Sequence, residues 1–135
     1  MTEQTLKSYL GISILIIHFA IIFLIFILFL NGGFLFDEMT TTIALVAPTF
    51  SSYIFGFVYH ATINKNEMAK ESPPINGLFI FMSWFLVILI STAIIMIASL
   101  KAYNFLSFNQ FKMMLTICEI SFGAYLSVIL SSIYG

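Results

Sequence analysis

The chain has 135 residues, of which 61% are hydrophobic and 17% aromatic while 8% carry a charge, against about 25% charged in an ordinary soluble domain. Too little polar surface exists to cover a water-soluble globule, and at about 20 residues per membrane-crossing helix the length leaves room for four spans and no soluble catalytic domain. Six acids and five lysines, with no arginine, leave a net charge of −1 and no basic stripe to neutralise phosphates, which excludes nucleic acid as a partner.

In chain order, a polar start over residues 2–7 is followed by an apolar run over about 10–30, closed by Asn31, Gly32 and Gly33. This run predicts a first span. A cleaved signal peptide would have an apolar region of about 7 to 15 residues and a small-residue cleavage site, neither of which is present. Asp37, Glu38, Thr40, Thr41 and Thr42 then supply helix-opening chemistry, since carboxylates and hydroxyls accept from free amides and suit the positive end of the helix dipole. The second span is predicted over about 40–61. Pro48 within it has no amide to donate, frees the carbonyl of Ala44 and predicts a kink near mid-membrane.

Residues 62–76 form the one extended polar stretch, with Lys65, Glu67, Lys70 and Glu71 ahead of Pro73 and Pro74, and read as a surface connection. A third span follows over about 77–100, carrying Trp84 and the polar Ser83, Ser91 and Thr92. Residues 101–112, with Tyr103, Phe105, Phe108 and Phe111, have the aromatic character of an interfacial turn. The fourth span is predicted over about 111–133. The expected fold is therefore an all-α integral membrane protein, a four-transmembrane-helix bundle in one domain with both termini on the same side. Lys7, Lys65 and Lys70 fall on that side against Lys101 and Lys112 on the other, and the first loop has two acids and no lysine. That bias places the termini in the cytoplasm.

Two strongly ionisable side chains fall well inside the apolar runs, His18 and Glu119. Each costs on the order of 3 kcal/mol to insert if unpaired. Counting about 1.5 Å of rise per residue, His18 lies roughly 13 Å and Glu119 roughly 18 Å above the inner face, nearly level with each other and with Ser51, Ser52 and the Pro48 break. A mid-membrane polar layer of Glu119, His18, Ser52 and Pro48 is expected, with two possible roles. His18 and a neutral Glu119 could lock the bundle by hydrogen bonding, or Glu119 could face a wet cavity and bind ions.

Glu119, Gly123, Ser127 and Ser131 recur every four residues on the fourth span, and Gly56 belongs to a similar series on the second. Such stripes predict close helix packing, within one copy or between copies, with the second and fourth helices central and the first peripheral. Cys118 lies in an apolar run without metal-type spacing, so neither a disulfide nor zinc is expected and the buried thiol is inert. His18 and His60 differ in height by roughly 13 Å, too far apart to clamp one haem iron. No catalytic, phosphate-binding or metal motif is present, so neither an enzyme nor a cofactor is expected.

Two functions fit these features. One is a homo-oligomeric channel, pore or membrane-disturbing effector built around Glu119. The other is a membrane-embedded sensor or anchor that docks a cytosolic protein through residues 62–76, with Lys65, Lys70, Glu67 and Glu71, and through the N-terminus. In span count and size the chain resembles the small four-helix inner-membrane components of bacterial antiviral defence systems. That resemblance implies a bacterial plasma-membrane location and a role as an oligomeric sensor or effector.

Overall fold

The computed structural model describes residues 3–63 and 74–134. Four helices fill this range: α1 (Glu3–Leu30), α2 (Phe36–Ile63), α3 (Gly77–Ala102) and α4 (Phe108–Tyr134). Among the described residues, Thr5–Leu30, Gly77–Ala102 and Phe108–Val128 are each long and apolar enough to cross a membrane. The helices outrun the apolar runs in the sequence because polar residues cap and extend them.

Two short turns join the helices into hairpins, and both are built alike. After α1, Gly32 takes the left-handed conformation (φ +80°), its amide bonding Phe29 O and the Gly33 amide bonding Leu28 O. After α3, Asn104 takes the same conformation (φ 63°), with Asn104 N bonding Lys101 O and Phe105 N bonding Leu100 O. Each set is a Schellman closure, which satisfies the last carbonyls of a helix through a residue that tolerates positive φ. The next helix is opened three residues later. Glu38 Oε2 accepts from the Leu35 amide at 3.0 Å at the start of α2, while at α4 Ser107 and Gln110 cap one another, at 3.1 and 3.2 Å, as a full capping box. Gly32 thus matches Asn104, Leu35 matches Ser107 and Glu38 matches Gln110 at a constant offset. The interfacial turn expected over 101–112 shrinks to residues 103–107, because Lys101 completes α3 and the capping box starts α4 at Phe108.

Around the bundle, α1 contacts α2 and α3, and α4 contacts the same two. Like helices of the two hairpins therefore lie side by side, α1 by α3 and α2 by α4. Both turns sit at one end, where Lys101 meets Gly33; at the opposite end Tyr125 of α4 donates to Ser83 O of α3 at 2.6 Å. The expectation of a peripheral α1 is corrected. Leu6, Leu10, Ile14, His18, Ile21 and Ile25 of α1 are all buried, a three-and-four spacing that turns one face wholly inward. Uniform apolarity along α1 concealed that face in the sequence.

Two apolar clusters fill the interior. One, nearer the turns, includes Ile25, Phe34, Val46, Ile94, Phe111 and Leu115. The other, nearer the chain ends, joins Leu10, Ile14, Val87, Phe122 and Leu126.

Candidate functional site

His18 and Glu119 are both buried, at 1% and 7% exposure, and helix geometry brings them to one level. The His18 ring stacks on Phe122 of α4, 5.1 Å between centroids with planes 24° apart, and Phe122 is one turn from Glu119. His18 Nδ1 donates to Ile14 O at 3.0 Å. A carbonyl only accepts, so this bond places a proton on Nδ1 and directs Nε2 into the bundle. Proximity of level is thus as the sequence implied. The polar layer as a whole is corrected at Pro48, which lies exposed on the outside of α2 instead of facing His18, and α2 stays helical through it. Ser51 is exposed as well. Ser52 falls on α2, with its side chain outside the described residues.

Glu119 lines a cavity of about 310 Å³ between α2 and α4, with Leu45, Thr116, Ile120, Gly123 and Ala124. A neighbouring hollow of about 450 Å³ shares Leu45 and Thr116 and continues past Met113 and Ile117 to Lys112. Together they form a groove that opens sideways from the bundle. Gly123 belongs to its wall, and the expectation of close packing there is corrected: a Cβ built at Gly123 would have nothing within 4 Å. The stripe then drifts outward, since Ser127 is exposed. Ser131 falls on α4 and Gly56 on α2, with their side chains outside the described residues. Lys65, Glu67, Lys70 and Glu71 also lie outside them.

Comparison with protein-family models, curated proteins and solved structures found no match.

A second polar centre was not singled out by sequence reasoning. Lys101, in the last turn of α3, is 7% exposed. Its Nζ lies 3.1 Å from Glu38 Oε2, donates to Gly33 O at 3.2 Å and sits 5.0 Å from the centre of the Phe34 ring. Carboxylate, carbonyl and π face together replace the water an ammonium loses on burial. This clamp ties the turn of the first hairpin to the end of α3. An acid opening α2 and a lysine closing α3, brought to the same end of the bundle, were its signal. Among the described residues, no group of three or more His, Cys, Asp or Glu side chains converges to hold a metal ion.

The outer faces of the helices differ in chemistry. On α1 the exposed side chains include Ile12, Ile16, Phe19, Phe23 and Phe26, and on α3 Phe81, Phe85, Ile88, Leu89 and Ile95. Among the described residues of α2 they include Thr40, Thr41, Ala44, Pro48 and Ser51 along with Phe36 and Phe55, and on α4 Thr116, Ala124 and Ser127 lie beside the groove among the larger Met113, Ile117 and Ile120. A bulky apolar face suits lipid, whereas small and hydroxyl side chains suit another protein surface or water.

Proposed function

We propose that the protein is an integral membrane protein of four spans, with both termini on the cytoplasmic side, whose copies assemble into a cation-preferring channel. In this reading α2 and α4 face the conducting path, α1 and α3 face lipid, and Glu119 contributes a ring of carboxyl groups part-way through the membrane. The observation that carries it is the placement of Glu119: a buried acid lines a hollow that opens sideways between α2 and α4, beside Thr116, Gly123 and Ala124. Among the described residues, apolar clusters fill the bundle on either side of His18, and the path for ions is accordingly placed between copies.

The experiment is ion flux from liposomes containing purified protein. Wild type is expected to pass potassium in preference to chloride, and Glu119→Gln, which keeps size and hydrogen bonding but removes the charge, to assemble normally with flux or selectivity reduced about tenfold. Equal flux from both proteins, or none from either, would overturn the channel. The second outcome would favour a subunit that docks a cytosolic protein through residues 62–76.

A further inference from the structure

The two hairpins are related in an unusual way for a four-helix bundle. Because α1 lies beside α3 and α2 beside α4, and because the two turns match at a constant offset, the second hairpin is the first one displaced sideways. The result is a short stretch of two-layered wall, α1 and α3 in one layer and α2 and α4 in the other. A wall extended by displacement does not close on itself. Each flank presents the kind of hairpin surface that the interior already covers, and contacts of this head-to-tail type continue from copy to copy until a ring closes.

The flanks fit one another. At 100° per residue, the flank of the first hairpin carries the small Thr40, Ala44, Ala47 and Ser51 of α2, spaced three and four apart. Beside them a groove of about 570 Å³ is walled by Phe19, Ala20, Ile22, Phe23 and Phe26 of α1 with Ile43 of α2. By the same count the flank of the second hairpin carries larger side chains. Met82, Leu89 and Met96 recur every seven residues on α3, all exposed, and Met114, Ile117 and Val128 are exposed on α4. Small residues admit a neighbouring helix closely, and methionine adapts to an irregular aromatic groove.

We infer that copies of this chain join head to tail, the α3/α4 flank of one seated on the α1/α2 flank of the next, prolonging the hairpin stacking found inside each copy. The α3 ridge enters the aromatic groove of α1, and the α4 side chains lie against the small-residue strip of α2. This rests on the reading that copies assemble, and it specifies how: α1 and α3 form the outer layer, α2 and α4 the inner one. The hollow lined by Glu119 then opens toward the centre of every ring that closes.

Disulfide trapping in native membranes tests the arrangement in full-length protein carrying Cys118→Ser. Phe23 and Met96 are exposed and lie at similar distances, about 10 Å, from the turn ends of α1 and α3. The Phe23→Cys, Met96→Cys double variant should give a ladder of covalent oligomers on oxidation. The two single variants co-expressed should give a covalent dimer and nothing larger. A second pair in the inner layer, Ala44→Cys with Ile117→Cys, should behave in the same way, which guards against one pair disturbing the fold. Efficient dimers from either single variant expressed alone would indicate a two-fold contact and overturn the inference, as would both double variants remaining monomeric. Flux measured on the same samples separates this from the channel: a ladder without flux supports the stacking and removes the channel, and flux without a ladder does the reverse.

Discussion

At Gly33 the geometry leaves no room for a side chain. A Cβ there would lie 2.7 Å from Ala102 Cβ and 2.9 Å from Ala102 Cα, and a backbone atom cannot turn aside. Gly33→Ala is therefore expected to destabilise the fold by about 1–3 kcal/mol, visible as a lower midpoint of thermal unfolding in detergent, with Ala102→Gly restoring part of the loss. Lys101 illustrates a different dependence. Lys101→Met would strand the Glu38 carboxylate, itself largely buried, and should cost roughly 2–3 kcal/mol, whereas the Glu38→Gln, Lys101→Met double variant should recover most of that. Equal midpoints for the single and double variants would show that the pair contributes through packing instead of charge.

Helix boundaries are decided by a few polar atoms. Ser107 and Gln110 satisfy each other's backbone amides at the start of α4, and Ser107→Ala should cost about 1 kcal/mol, again read from the unfolding midpoint. Asn104 holds a positive φ that most residues adopt at some cost. Asn104→Gly should thus leave stability unchanged or slightly raised, while Asn104→Val lowers it. The matching position of the first hairpin is already glycine, which shows that the turn itself, and not the side chain, is what both hairpins need. Within α2, Pro48 remains on the exposed side of a continuous helix, so the amide it lacks is not lost from the buried face.

On the scale of the whole molecule, placement of the small-residue stripe decides what a bulky substitution does. A stripe at a close helix crossing would make Gly123→Leu disrupt the bundle. Open space around Gly123, at the wall of the Glu119 cavity, gives the opposite expectation: Gly123→Leu leaves the thermal midpoint of the single chain nearly unchanged but fills the hollow and lowers ion flux, and Gly123→Ala does neither. A fall in midpoint of several degrees without change in flux would place Gly123 at a packing contact and remove the groove from the function.

The number of helices, the lipid-compatible character of three of them and the two tight turns within the hairpins were legible in the sequence, because each depends on local quantities: runs of apolar residues, capping residues and turn residues. That His18 and Glu119 come to nearby levels of the bundle was legible for the same reason, since a helix advances by a constant rise. Which face of each helix turns inward was not. Isoleucine, leucine and phenylalanine surround α1 on all sides, and in lipid an apolar residue is equally suited to the core and to the outside, so periodicity carries no signal. Helix order around the bundle was equally hidden, because α1 beside α3 and α2 beside α4 is a choice among packings that bury similar surfaces. Tertiary structure made that choice. It brought α1 into the core, paired Lys101 with Glu38 across the hairpins, and opened a groove at Glu119 where the sequence alone had implied a close contact.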